Sequence, residues 1–201
     1  MNHPVQCRCG SLKGYVSHPK NVNRCVCYCR DCQAFAHFLG RPAEILDAQG
    51  GTDVVQTSPA NVTFTQGQDA LACMRLTEKG MLRWYTTCCN TPVGNTMADF
   101  RVSFVGLVHT CLEGGGSLDD SFGPVRARVN KRGAKGSVPP SSSALMFVIL
   151  RLIAMVAGAR ITGSYKRTPF FSADTGTPIA TAKILSWSER KALMSALSLA
   201  S

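Results

Sequence analysis

Long apolar runs are scarce in this sequence, and none reaches the roughly 18 residues that a membrane-spanning helix needs. The closest, residues 144–157, is interrupted by Arg151. The first residues lack the apolar segment of a secretory signal. These absences predict a cytoplasmic chain without a membrane span. In that compartment disulfides are rare, so the ten cysteines call for another explanation, and metal binding is the first candidate.

Acidic residues are also few, 12 against 22 Lys and Arg, and the surplus is uneven. Residues 1–115 carry a net charge of +2, whereas residues 116–201 carry +8. The densest basic stretch, Arg126–Lys135, suits either a solvated loop or an anion site. It contains no aromatic residue on which a base can stack, which makes a nucleic-acid partner unlikely. The sequence also contains no phosphate-binding loop and no Ser/His/Asp constellation.

Short apolar runs separated by turn signals predict a mainly β protein with added helices, of the α+β class. One helix is expected over Asp31–Phe38, and a last one is expected to begin at Ser186 or Ser188 and end near Leu199. The expected strands are Leu12–Val16, Val22–Val26, Val54–Thr57, Val62–Phe64, Ala70–Leu76, Met81–Thr86 and Val102–His109.

Composition divides the chain into three parts. All ten cysteines lie in residues 1–112, which are expected to form a zinc-stapled domain of small antiparallel sheets. Residues 113–143 are rich in Gly, Pro, Ser and basic residues, and they predict a linker or long loop. Residues 144–201 predict a helical extension that packs on the domain. Its first helix is apolar nearly all round, so residues 144–160 are a candidate homodimer contact.

The cysteines form groups with metal-ligand spacing. Cys27, Cys29 and Cys32 offer three thiolates within six residues, the last from the first turn of the predicted helix. Three protein ligands leave a fourth position open, as a catalytic zinc requires. The alternative is a closed structural zinc completed by Cys25 or His37. The other grouped cysteines are Cys7, Cys9, Cys88 and Cys89, while Cys73 and Cys111 are expected to be buried apolar residues.

Two segments together resemble a known family. Cys7-Arg8-Cys9-Gly10 followed by Cys27-Tyr28-Cys29-Arg30-Asp31-Cys32 is similar to the glutathione-dependent formaldehyde-activating enzymes, a group that includes centromere protein V. The segment 82–92, which ends in Cys89-Asn90-Thr91-Pro92, supports the resemblance. The resemblance extends over roughly residues 5–110. It implies a β-tent fold with two Zn²⁺ ions, one structural and one catalytic.

The resemblance also implies ligand roles. Cys7, Cys9 and Cys89 match structural ligands, and Cys27, Cys29 and Cys32 match ligands of the catalytic zinc. The family places another Cys three residues before Cys89, where this chain has Thr86. Either Cys88 supplies that ligand through an altered turn, or the structural site is incomplete. Neighbouring side chains of an extended strand point to opposite faces, so an altered turn requires a local kink.

The function that the resemblance implies is a zinc-dependent carbon–sulfur lyase acting on an adduct of glutathione or another small thiol. Asp31 is expected to cap the helix or to carry a proton. The alternatives are a non-catalytic, zinc-stapled binding module that uses its basic surface, and a thiol redox or metal-handling protein. The module requires a closed central site, whereas the lyase requires an open one.

Overall fold

The computed structural model describes residues 2–141 and 145–199, and it has a mixed α+β architecture. The strands are β1 (His3–Gln6), β2 (Lys13–Val16), β3 (Asn23–Cys27), β4 (Thr52–Thr57), β5 (Val62–Gln66), β6 (Leu71–Arg75), β7 (Leu82–Thr86), β8 (Pro92–Thr96), β9 (Val105–Val108), β10 (Ala127–Val129) and β11 (Ala182–Ile184). The α-helices are α1 (Arg30–Phe38), α2 (Pro42–Ile45), α3 (Leu118–Phe122), α4 (Leu145–Ile161) and α5 (Trp187–Leu199).

The strands form two sheets. A three-stranded antiparallel sheet has the order β1-β2-β5, and an eight-stranded sheet has the order β10-β3-β4-β9-β8-β7-β6-β11. The six central strands of the large sheet pair antiparallel, whereas β10 and β11 add at its two edges in parallel with β3 and β6. The large sheet is therefore built mainly from hairpins and closed at both edges by later chain segments.

The apolar core lies on both faces of the large sheet. On one face, side chains of the small sheet pack with those of β7 to β9 around Trp84, which is fully buried. On the other face, α1 and α5 pack against residues such as Met74 and Val108. Cys73 and Met74 are neighbours on β6 and belong to opposite faces, as the period of two requires. The result is a layered arrangement of small sheet, large sheet and helices.

The sequence-based expectation of an α+β fold with antiparallel sheets and C-terminal helices is confirmed. Each of the seven expected strands occurs, with ends that differ by up to three residues, and the helix expected at Asp31 begins at Arg30. Strands β1, β8, β10 and β11 were not expected. We expected only small sheets, but the large sheet has eight strands, because β10 and β11 extend the two edges of its six-stranded centre.

The regions outside residues 1–112 form one strand at each edge of the large sheet and part of the core. The segment 113–143 contains α3 and β10, and β10 pairs with β3 beside the cysteine-rich loop. In residues 145–199, Phe170 lies 5.2 Å from Trp84 between ring centroids, inside the main core. The expected boundary between residues 143 and 144 lies outside the described residues.

Helix α4 exposes apolar side chains along much of its length. Only Val148 and Ala159 are buried in it. The large side chains that it exposes are Leu145, Met146, Phe147, Ile149, Leu150, Ile153 and Ile161. Within residues 2–141 and 145–199, no helix combines the length and the apolar character needed to cross a bilayer.

Candidate metal centres

The first candidate centre contains four sulfur atoms from two distant parts of the chain. Cys7 and Cys9 follow β1, and Cys88 and Cys89 lie in the turn between β7 and β8. The Sγ atoms of Cys7 and Cys9 are 3.5 Å apart, and those of Cys7 and Cys88 are 3.8 Å apart. Cys9 and Cys88 are separated by 3.3 Å, and Cys88 and Cys89 by 3.7 Å. All four sulfurs lie within 4.8 Å of one another.

Gly10 and Asn90 bend the two loops so that their sulfurs converge. Gly10 has φ +76°, and its N–H donates to the carbonyl of Cys7, closing a tight turn. Asn90 has φ 52°, a left-handed conformation that Asn tolerates better than most residues. The N–H of Asn90 donates to the carbonyl of Thr86. This turn is the local kink that two adjacent cysteines need in order to approach one ion.

The environment of this four-thiol cluster favours partial ionisation. Burial opposes ionisation of Cys89, but hydrogen bonds from Thr86 and Thr91 prevail and lower its pKa to about 5. Arg41 donates to the carbonyl of Cys89 at 3.3 Å, which anchors the loop from the side of α2. These hydrogen bonds favour the thiolate form of Cys89, which is the form that binds metal.

The second candidate centre is built on one continuous loop. Cys27 ends β3, Cys29 is the N-cap of α1, and Cys32 lies in the first turn of that helix. The Cys29 sulfur accepts a hydrogen bond from the N–H of Cys32 at 3.3 Å. The three sulfurs lie within 4.8 Å of one another. Asp31 was expected to cap this helix; instead Cys29 caps it, because its sulfur lies over the free N–H groups of the first turn.

Hydrogen bonds among the three sulfurs shift the pKa values of these cysteines in opposite directions. The contacts with Cys29 and Cys32 lower the pKa of Cys27 to about 2. The same contact with Cys27 raises the pKa of Cys29 and raises that of Cys32 well above its ordinary value. The side-chain amide of Asn130 also donates to the Cys27 sulfur at 3.3 Å. Asn130 follows β10, so the segment expected to be a linker supplies a contact to the centre.

Neither residue considered as a fourth ligand joins the three sulfurs. Within the described residues, the metal-ligand group at this centre consists of Cys27, Cys29 and Cys32 alone. Cys25 packs with apolar side chains, and burial raises its pKa to about 12. His37 lies in the last turn of α1, at the opposite end of the helix from Cys29.

Arg83 is a buried cation beside this three-thiol cluster that sequence reasoning missed. Its side chain is 5% exposed, and Nη1 lies 3.9 Å from the Cys32 sulfur. Nη1 also donates to Asn95, and Nη2 lies 3.6 Å from a carboxylate oxygen of Asp31. A buried guanidinium requires partners of this kind, and here it offsets the negative charge of the thiolates. A sequence signal for this residue existed, because Arg83 is a charged residue within a predicted strand whose other residues are mainly apolar.

The loop at Gly133 closes the other side of the three-thiol cluster. Gln33 donates to the carbonyls of Tyr28 and Gly133 and so joins α1 to this loop. A Cβ atom on Gly133 would lie 2.1 Å from the Tyr28 carbonyl oxygen, so only glycine permits this close approach. Packing therefore fixes the shape of the loop that carries the sulfurs.

Both donor sets fit zinc. A tetrahedral ion with Zn–S bonds of about 2.3 Å holds its sulfurs about 3.8 Å apart. The four sulfur–sulfur distances given above for the four-thiol cluster, 3.3 to 3.8 Å, are close to that value. Four thiolates complete the coordination of zinc, whereas three leave one position for another ligand. Each of the two cysteine clusters can thus hold a metal ion, the first with a complete set of protein ligands and the second with one position left for another ligand.

The fold and the sites define a cysteine-rich α+β protein with two potential metal centres on one layered core. The chain belongs to the family of unknown function DUF6151, whose model matches residues 2–183. No curated protein matches the chain. A solved structure of a Rhodobacter sphaeroides protein, from the Northeast Structural Genomics effort, is similar over 63% of this chain and 99% of its own. Its sequence identity is 17% and its TM-score is 0.39.

Proposed function

We propose that this protein is a zinc-dependent carbon–sulfur lyase that acts on an adduct of a small thiol such as glutathione. The observation that carries the proposal is the contrast between the two clusters, one with four cysteines and one with three. In this proposal the first holds a structural Zn²⁺. The second holds a catalytic Zn²⁺, which would supply a Lewis-acid position for the sulfur or the hydroxymethyl oxygen of the substrate.

The residues around the three-thiol cluster suit such chemistry. Cleavage of an S-hydroxymethyl thiol breaks the carbon–sulfur bond, transfers the hydroxyl proton and yields a thiol and an aldehyde. Asp31 is exposed by about half, at 53%, and is adjacent to Cys32 in the chain. We propose that it relays that proton. Arg83 holds this carboxylate in place and balances the charge of the thiolates.

The family resemblance in residues 5–110 supplies the reaction class, and two further features agree with it. All ten cysteines are free thiols, which suits a reducing compartment such as the cytoplasm. Cys25 also lies outside the three-thiol cluster, so this nearby thiol does not complete the set of metal ligands. A binding module is the alternative if both centres prove structural.

The test measures metal content and turnover on the same preparations. Elemental mass spectrometry of reduced, tag-free protein is expected to find two zinc ions per chain. A mixture of glutathione and formaldehyde then serves as the source of S-hydroxymethylglutathione. Cys29→Ser is expected to abolish turnover while the protein remains folded, with Cys73→Ala as the control because Cys73 belongs to neither cluster. A fully zinc-loaded protein without turnover would refute the proposal.

We also propose that α4 forms a homodimer contact. Seven large apolar side chains are exposed on this helix, a patch that soluble monomers seldom carry. Ile153→Glu, in the middle of the patch, is expected to convert a dimer into a monomer in sedimentation experiments, and Trp187→Glu is the control at an exposed residue outside α4. A monomeric wild-type protein, or one that floats with lipid vesicles, would contradict the dimer.

A further inference from the structure

Two cavities are lined by Arg30, which lies between Cys29 and Asp31 in the loop that carries the three-thiol cluster. The first has a volume of about 440 Å³ and is bounded by α1 and α5. The second has a volume of about 490 Å³ and is bounded by α1 and the loop at Gly133. Helix α5 borders both of them. Residues from outside the segment that resembles a known family thus form walls of both cavities.

The walls of these cavities are strongly basic. Arg190 and Lys191 line the first, Arg132 and Lys135 line the second, and Arg30 belongs to both. Asp31 also lines the first cavity, where its carboxylate lies 3.6 Å from Nη2 of Arg83. Lys191 is positioned over the ring of Trp187, with Nζ 4.9 Å from the ring centroid.

The negative charge of a zinc-loaded centre explains why cations nearby would help an anionic ligand to bind. Three thiolates around one Zn²⁺ carry a net charge of about −1, so an anionic ligand approaching the centre is repelled. Cations close to the loop that carries the cluster oppose this repulsion and attract such a ligand. Guanidinium groups also bind carboxylates through paired hydrogen bonds.

We propose that the cavities on either side of Arg30 form an anion-binding site that takes the carboxylate groups of an acidic ligand. As a substrate site it rests on the proposed lyase function and selects thiol adducts that carry carboxylates. As a binding site it stands on the cations and cavities alone. The C-terminal helix α5 then determines specificity for a centre to which it contributes no metal ligand.

The experiment uses the zinc-loaded protein and S-methylglutathione, which has two carboxylates but no free thiol to coordinate the metal. The two tryptophans give a built-in signal, because Trp187 is 75% exposed at the first cavity and Trp84 is fully buried. Binding is expected to change the emission of Trp187, and Trp187→Phe is expected to remove the signal. The diethyl ester of S-methylglutathione, which lacks the carboxylates, is expected to bind at least about tenfold more weakly.

Arg132→Ala and Arg190→Ala each test one cavity, and each is expected to weaken S-methylglutathione about tenfold. Arg167→Ala is the matched control, since Arg167 is an exposed cation that lines neither cavity. Added salt is expected to weaken binding as well. Equal binding of the ester, no loss in either variant, or no response up to about 10 mM would overturn the site. Binding without lyase turnover would instead refute the proposed function and leave the site standing.

Discussion

The two cysteine clusters differ in how the chain assembles them. The four-thiol cluster joins residues about 80 positions apart, and two of its cysteines, Cys9 and Cys88, are exposed. The three-thiol cluster comes from a single loop at the start of α1, and none of its cysteines is fully exposed. A metal in the first cross-links two distant loops, whereas a metal in the second adds no long-range cross-link. Under the proposed function we expect the first cluster to stabilise the fold and the second to carry the chemistry.

The largest expected effect is a difference in lost stability between two variants, each of which lacks one ligand of one cluster. Cys9→Ser is expected to lower the free energy of unfolding by at least about 5 kcal/mol, because a structural zinc contributes on the order of 10 kcal/mol in small domains. That loss corresponds to roughly 10–20 °C in Tm. Cys29→Ser is expected to change Tm by less than half as much. Thermal denaturation measures both, and equal losses in the two variants would remove the distinction between the clusters.

The next effect concerns the buried cation beside the three-thiol cluster. Arg83→Gln removes the charge that faces Cys32 and Asp31. It is expected to weaken metal binding there about 10- to 100-fold, the usual cost of losing a partner behind the ligands. The four-thiol cluster is expected to keep its affinity. Cobalt substitution with chelator competition measures the metal affinity of each cluster, and Arg75→Gln on β6 serves as the control. An equal loss at both clusters would indicate general destabilisation.

A smaller effect is expected at the turn that carries Cys88 and Cys89. Asn90 has positive φ, so Asn90→Val is expected to cost about 1–2 kcal/mol of stability, whereas Asn90→Gly is expected to be close to neutral. The strain acts on the four-thiol cluster and leaves the three-thiol cluster unchanged. Urea denaturation with metal analysis checks this. A tolerated valine would mean that the turn does not depend on the left-handed conformation of residue 90.

The smallest effect concerns α5, which packs on α1, the helix that begins at the three-thiol cluster. Glu189 accepts hydrogen bonds from the N–H and hydroxyl of Ser186, while its own N–H donates to the Ser186 hydroxyl. The side-chain contact with Lys183, and then those with Ser186, lower the pKa of Glu189 to about 2. Its stabilising effect is therefore complete at neutral pH and disappears as the pH falls towards 2.

Glu189→Gln is thus expected to loosen the first turn of α5 at pH 7. The emission and anisotropy of Trp187 report this directly, since that residue begins the helix. Ser195→Ala is the control, because Ser195 is an exposed residue of the same helix that lies outside its first turn. A change in the metal affinity of the four-thiol cluster in Glu189→Gln would show that the two regions are not independent.

Much of the fold followed from local sequence signals. The alternation of apolar residues and the turn residues between them predicted the seven strands, and the pattern after Asp31 predicted α1, because these periods are properties of the backbone itself. The four unexpected strands lacked such signals. Strands β10 and β11 are three residues long, and each forms because an edge of the large sheet offers unpaired hydrogen-bonding groups.

The sequence by itself determined which residues can bind metal, since thiol chemistry and the Cys-x-Cys and Cys-x-x-Cys spacings are local. It also placed three thiols at the start of a helix. Only the tertiary structure decided that Cys88 and Cys89 approach Cys7 and Cys9 together, because that depends on the turn at Asn90. It likewise decided that Cys25 stays apart and that Arg83 and Asn130 border the three-thiol cluster. The contacts of Arg83 with Cys32 and of Asn130 with Cys27 join residues 51 and 103 positions apart, and only the packing of the sheet brings them together.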